Sequence, residues 1–438
     1  MSPEILTLLM FLGILVGVFA GFPIGFTLGG LALIFGYLGW GPQIVPLFAS
    51  QAYGLMTNFV IIAVPLFVFM GCMLEQSGIA EQAFDVIYKW FGRIKGGLAL
   101  ATVVISTLFA ACTGIVGASV TTMGLIALPS MLSRGYDKSL ATGTVAAGGT
   151  LGILIPPSIM LILYGPMAGV SVVELFAAAI IPGLLLAGLY SLYIFIRCQL
   201  QPDLAPISPE EGRETISLIS LLVSMKTFLP FIVLILAVLG AIFFGITAPT
   251  EAAGLGALGS IIIAAAHRKL TFKTMYEVSK TTLRVSSMII FVALGAYTFT
   301  AVFFGIGGGR IVANFISGLG LGAYGVLAVV LFLTFLLGMF IDWVGILLII
   351  VPIFIPILKM YGFDPLWSGM LIMITLQSSF LTPPFAYALF YIRSITSKEV
   401  ELIDIYKGVV PFVSLQLIGL VLSILFPQII TWLPGIIK

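Results

Sequence analysis

Gly148-Gly149-Thr150-Leu151-Gly152-Ile153-Leu154-Ile155-Pro156-Pro157-Ser158 decides the reading of this chain, because its centre recurs as Leu381-Thr382-Pro383-Pro384. The second proline pair lies 227 residues after the first, and the same offset relates Asp137 to Asp364 and Pro129 to Pro356. The chain therefore reads as two copies of one unit. In both copies the pair sits inside an apolar run of membrane-helix length, where a proline removes a backbone donor and clashes with the preceding turn. Irregular backbone at membrane depth is tolerated only where it is buried in protein or lines a cavity, so each break marks a candidate site.

The composition agrees with a membrane setting. Of 438 residues, 61% are hydrophobic and 8% charged, and the mean hydropathy is +1.24. About ten to twelve apolar runs approach the roughly 20 residues that span a bilayer, so the class is an all-α polytopic membrane protein. A net charge of +2 provides no field for nucleic acid. Cys72, Cys112 and Cys198 show no metal or disulfide spacing, and the single histidine, His267, lies in the basic run His267-Arg268-Lys269. Met1 to Glu4 lacks the basic start of a signal peptide, so the first helix is expected to be retained.

Working outward, residues 1–75 read as scaffold helices, with 5–39 divided at Gly21-Phe22-Pro23. Gly21, Gly25 and Gly29 are spaced for close helix approach, either within this subunit or against a partner membrane protein. Residues 76–197 form the first repeat: an amphipathic interfacial helix at 79–91, a hairpin split at Thr113-Gly114-Ile115-Val116-Gly117, the crossing broken at Pro156-Pro157, and a helix at 173–197. Residues 198–226, with Pro202, Pro206, Pro209 and the acidic cluster around Glu210, read as a polar cytoplasmic linker. Scaffold helices follow at 227–270. The second repeat, 271–438, is expected to carry an amphipathic arm at 272–284, a hairpin turning near Gly305–Arg310 and the break at Pro383-Pro384.

Basic residues orient the repeats, because cytoplasmic loops carry the excess of Lys and Arg. Arg134 and Lys138 precede the first break, and 165–196 after it hold neither residue type. In the second copy only Lys359 precedes the break, whereas Arg393, Lys398 and Lys407 follow it. The copies are thus expected to be inverted. Inverted repeats with discontinuous helices are the architecture of secondary transporters, whose sites lie near the midplane.

At such breaks the half-helix before the gap presents unpaired carbonyls, suited to Na+, and the half after it presents free amides, suited to carboxylate. The candidate Na+ cradles are Gly152, Ile155 and Pro157 with the Thr113 hydroxyl, and Ser379, Thr382 and Pro384 with Gly338. Ser158 and Phe385, each following a proline pair, and Arg310 are candidate substrate contacts. Glu251 and Asp342 are carboxylates in apolar surroundings and so candidate functional groups. Glu251 also fits a helix start, with Thr250 as cap. Gly307-Gly308-Gly309-Arg310 lacks the context of a phosphate loop and reads as a hairpin tip.

Gly149 to Ser158, Ala248-Pro249-Thr250-Glu251-Ala252-Ala253 and Leu381 to Pro384 together resemble signatures of the large, DctM-type membrane subunit of tripartite ATP-independent periplasmic (TRAP) transporters. The resemblance spans almost the whole chain. It implies a Na+-driven importer of small organic acids in the bacterial inner membrane, served by a periplasmic solute-binding protein and by a small four-helix membrane subunit on a separate chain. It also implies an elevator motion of hairpins and broken helices against a scaffold. Thr113-Gly114-Ile115 departs from the Ser-Gly-Ser found at the first hairpin tip in many members, which leaves that side-chain ligand open. A binding-protein-independent carrier or antiporter of similar architecture is the rival transporter, and a channel or passive scaffold the rival class. No nucleophile–base pair suggests an enzyme.

Overall fold

The computed structural model describes residues 2–91, 94–114, 116–206, 218–384, 386–396 and 399–437. The regular structure among them is helical throughout. Eight helical segments among the described residues are long and apolar enough to cross a membrane, fewer than the apolar runs in the sequence, because the first arm of each hairpin and the halves of the broken crossings fall short of that length.

The chain opens with α1 (Pro3–Phe19) and α2 (Ile24–Trp40), parted at Gly21, whose φ of +81° suits a residue without Cβ. α3 (Ile44–Met56), α4 (Ala63–Gln76) and the amphipathic α5 (Ile79–Phe91) follow. α5 buries Ile79, Ala80, Ala83, Phe84 and Ile87. The first hairpin is α6 (Gly97–Thr113) and α7 (Val116–Ser133), and the broken crossing is α8 (Lys138–Thr150), a 3-10 turn at Leu151–Ile153, and α9 (Ile159–Ala168). α10 (Val172–Leu200) closes this copy. Then come α11 (Leu218–Phe243), α12 (Pro249–Ala266), α13 (Phe272–Gly305) and α14 (Gly308–Gly318). The second copy continues with α15 (Ala323–Gly338), α16 (Trp343–Met360), α17 (Pro365–Leu381), α18 (Tyr387–Ile395) and α19 (Leu402–Leu425), and α20 (Gln428–Ile437) ends the chain.

The offset of 227 holds along both copies. Added to the bounds of α7 it gives 343 and 360, those of α16, and added to the start of α8 it gives 365, that of α17. Contacts between the copies are reciprocal: α7 packs on α18 and α16 on α9, while α8 packs on α19 and α17 on α10. Reciprocity of this kind is the signature of a two-fold relation. Both proline pairs, Pro156-Pro157 and Pro383-Pro384, are cis.

Three expectations are corrected. The second hairpin does not turn near Gly305–Arg310. Its tip is Met339–Asp342, between α15 and α16, where the offset places the counterpart of Gly114. The glycine cluster instead starts α14, whose end at Gly318 stands 227 residues after that of α5 and which is therefore its counterpart in the second copy. Residues 272–284 are the first turns of the 34-residue α13, since nothing between Arg284 and Ile289 breaks a helix. The linker is shorter than 198–226, because helix resumes at Leu218 once the prolines and acidic residues give way to the apolar run Leu218-Ile219-Ser220-Leu221-Leu222-Val223; residues 207–217 lie outside the described residues, as do Arg93 and Lys398.

Gly25 and Gly29 resolve the glycine-face question in favour of packing within the subunit. They receive α13 at Gly295, where an added Cβ would lie 2.6 Å from the Gly25 carbonyl oxygen and 3.1 Å from the Gly29 nitrogen. Backbones this close leave no room for a side chain. Gly21 lies in the turn rather than on that face.

Candidate functional site

The first half-site forms where the hairpin tip meets the first break. α6 ends at Thr113 and Gly114, the latter at φ +58° against Ile159, the first residue of α9. This reverses the chain so that Thr113 Oγ1 lies 2.6 Å from Ser119 Oγ on α7. A Cβ added to Gly152 would stand 3.2 Å from Ser119 Oγ and 3.7 Å from Thr113 Oγ1, so the backbone of the break faces both hydroxyls. Thr113, Ser119 and Gly152 are thus brought together, all buried. Ser119 supplies the second hydroxyl that Ile115 cannot, and was missed because it lies one turn into α7 rather than at the tip. Ile155 is held by its amide on the Leu151 carbonyl at 3.0 Å and packs on Gly183 of α10. Ser158 is buried and donates its hydroxyl to the Ile153 carbonyl, closing the loop around Pro156 and Pro157.

The second half-site repeats this plan. α15 ends at Gly338, where a Cβ would collide with the Ser379 side chain on α17. The residue paired with Gly152 by the offset is Ser379 itself. The hydroxyls here point back along their own helix: Ser379 Oγ donates to the Leu376 carbonyl and Thr382 Oγ1 to the Ser378 carbonyl, each at 2.7 Å. Both keep lone pairs to offer. Asp342 caps α16, its carboxylate accepting the Val344 amide at 3.4 Å. It stands within electrostatic reach of the Tyr387 phenol, which receives a hydrogen bond from Tyr391 at 2.9 Å. Tyr391 lies over Gly117 of the first hairpin, 2.6 Å from where its Cβ would be. The Tyr387/Tyr391 pair, four residues apart immediately after the second break, therefore meets the first hairpin at Gly117; that spacing was readable in the sequence. Phe385 lies outside the described residues.

Two candidates fall elsewhere. Glu251 is exposed at the start of α12, its carboxylate accepting the Ala248 amide at 3.2 Å. The cap position is Ala248, with Pro249 first in the helix, rather than Thr250. Arg310 is exposed on α14 near Glu4 of α1; α14 packs against α1 and α13 rather than against either break.

The two half-sites differ in access. Residues 151–160 around the first break are all buried, whereas Pro383, Pro384 and Tyr387 around the second are exposed. Between them Gln377 donates to the Thr150 carbonyl at 3.0 Å, and Gln416 to the Tyr190 hydroxyl at 2.8 Å.

The profile of the family described as "Tripartite ATP-independent periplasmic transporter, DctM component" matches residues 11–429. The chain is 30% identical to the C4-dicarboxylate TRAP transporter large permease protein DctM of Pseudomonas aeruginosa, over 90% of this chain and 91% of that one. It is 31% identical to the ectoine/5-hydroxyectoine TRAP transporter large permease protein UehC of Ruegeria pomeroyi, over 85% of each, and 30% identical to the sialic acid TRAP transporter permease protein SiaT of Haemophilus influenzae, over 97% of this chain and 67% of that one. Its fold resembles the crystal structure of the Alcanivorax borkumensis YdaH transporter, with a TM-score of 0.66 at 16% identity, covering 97% of this chain and 99% of that one. These relatives are permeases and not enzymes, and the chain, a multi-pass membrane protein, belongs to the DctM component family of tripartite ATP-independent periplasmic transporters.

Proposed function

We infer that this chain is the large permease subunit of a Na+-driven importer of a small organic acid in the bacterial inner membrane. The observation that carries the reading is the pair of two-fold-related half-sites, each a hairpin end set against a cis Pro-Pro break, in a chain of this family. Na+ is a co-substrate here. Carbonyl and hydroxyl oxygens are the hard ligands a hard monovalent cation takes, and the Thr113, Ser119 and Gly152 cluster and the Gly338, Ser379 and Thr382 cluster each concentrate them at a helix interruption. The substrate carboxylate is assigned to the exposed second break, where Tyr387 offers a phenol at the N-terminus of α18.

The unequal exposure of the breaks is what one access state of an elevator presents. The exposed surface of the second break continues through Phe390, Arg393 and Ser394 toward the basic end of the repeat, which supports an inward-facing state. The relatives named above are TRAP permeases for different compounds, so the acid itself is set jointly with a periplasmic solute-binding protein, and a small four-helix membrane subunit completes the assembly.

Reconstitution tests this. Proteoliposomes holding this chain with its small subunit should accumulate substrate only when the binding protein and an inward Na+ gradient are both supplied. Full-rate uptake of free acid by this chain alone would establish a binding-protein-independent carrier instead. Crosslinking α7 to α2 should stop transport if the hairpin slides past the scaffold, while a crosslink from α5 to α6 should spare it.

A further inference from the structure

A crevice at the cytoplasmic end of the molecule is unused by the transport reading. Its cavity, about 220 Å³, lies between α8, α10 and α19 and is lined by Asp137, Tyr193, Arg197, Lys407 and Phe412 among others. It joins an open apolar groove of about 300 Å³ along α10, walled by Leu189, Leu192, Ile196, Leu200 and Leu415. Tyr193 and Arg197 belong to both, so a charged chamber and an apolar channel meet at one side-chain pair.

The charges are unbalanced. Asp137 is committed to capping α8, accepting the Leu140 amide at 2.9 Å. Arg197 reaches the Tyr193 hydroxyl by a long 3.4 Å hydrogen bond, and both Arg197 and Lys407 are exposed. Asp404, one turn before Lys407, is occupied with the Glu401 amide at 3.1 Å. Of the charged groups that line the cavity, two cations thus stand against one carboxylate that is already engaged, at the level where α8 begins and α10 ends. Tyr193 packs edge-on against Phe412 at 5.3 Å and forms the rigid wall between chamber and groove.

We propose that this crevice binds an anionic phospholipid of the cytoplasmic leaflet, its phosphate between Arg197 and Lys407 and one acyl chain along Leu189, Leu192, Ile196 and Leu415. Basic pockets between membrane helices on the cytoplasmic side take anionic headgroups, and long cationic side chains reach the headgroup level while their stems stay in hydrocarbon. The continuity of the charged chamber with the apolar groove selects a lipid over a soluble anion, which has no use for the groove. Because α10 belongs to the first repeat and α19 to the second, such a lipid would bridge the two copies.

The test is native mass spectrometry of the full chain in nanodiscs of phosphatidylcholine with increasing phosphatidylglycerol. The unmodified chain should retain a phosphatidylglycerol molecule after delipidation. Arg197→Gln with Lys407→Gln should weaken retention by roughly fivefold per charge removed, about 25-fold together. Leu192→Trp, which fills the groove and leaves both charges, should also lower retention, while Arg284→Gln, an exposed arginine of α13, should not. Equal retention by the double variant would overturn the site. Displacement of the lipid by millimolar inorganic phosphate, with Leu192→Trp silent, would show a soluble-anion site and overturn the lipid assignment. So would a crosslink between two copies through position 192.

Discussion

Gln377 donates its amide to the carbonyl of Thr150 at 3.0 Å, and these two residues are one repeat offset apart. Residues related by a two-fold axis touch only on the axis, so this bond marks where the copies pivot on each other. Gln416 reinforces the place by donating to Tyr190 and to Thr150 Oγ1. The Oε1 atoms of both glutamines are buried without a protein partner. Gln377→Leu breaks the bond but also removes one stranded acceptor, so its cost should stay within about 1 kcal/mol. Gln377→Glu places a carboxyl group at a fully buried position, where ionising it is costly, and should destabilise far more. Thermal unfolding in detergent should rank native, then Leu, then Glu; Glu above Leu would contradict this placement.

The hydroxyl pair at the first half-site makes the Na+ assignment testable. Ser119→Ala should raise the Na+ concentration for half-maximal uptake roughly three- to tenfold, the equivalent of about 0.5–1.5 kcal/mol for one hydroxyl contact. Thr113→Val should act in the same direction, and the double variant should cost less than the product of the two, because each hydroxyl already partners the other. Transport indifferent to Na+ and to both changes, yet lost in Asp342→Asn, would move the coupling to a proton on Asp342.

Thr382→Val separates the half-sites. The hydroxyl donates to the Ser378 carbonyl at 2.7 Å, so the lone pairs it offers are removed along with a local helix bond. The Na+ requirement should rise without loss of expression, by a smaller factor than for Ser119→Ala, because Thr382 is less buried. Sodium titration of initial uptake rates decides the order.

Gly338 admits Ser379 where any Cβ would overlap it. Gly338→Ala should reduce transport by at least an order of magnitude by forcing α15 from α17, since overpacking costs about 1–3 kcal/mol. Ser379→Gly in the same chain should recover spacing, read as restored thermal stability even if Na+ coupling stays impaired by the lost hydroxyl. A double variant no more stable than Gly338→Ala would show that the contact is not the limiting one.

Orientation is checked by single cysteines at Ser133 and Gly362 in a chain lacking Cys72, Cys112 and Cys198. An impermeant thiol reagent should label them from opposite sides, position 133 from the cytoplasm. Labelling from one side would end the inverted arrangement.

The class, the repeat and both breaks were legible in the residues because each follows from local chemistry. An apolar run must span a bilayer, and a proline inside it lacks a donor whatever its neighbours. The first hairpin was legible for the same reason, with Gly114 the natural chain-reversal residue in an unbroken apolar stretch. The second was misplaced because glycines at 305–309 offered a stronger local turn signal than Met339–Asp342, whose interruption rests on one acidic cap. Only the repeat offset ranks the two, and only packing of α16 against α9 shows it. Helix–helix meetings were beyond reach altogether: Ser119 faces Thr113 because the chain reverses between them, and Tyr391 covers Gly117 across 274 positions of sequence. Pattern also treats the two breaks alike. That one is sealed and the other open is decided by how the hairpins sit on them, which is a property of the tertiary packing and not of either segment.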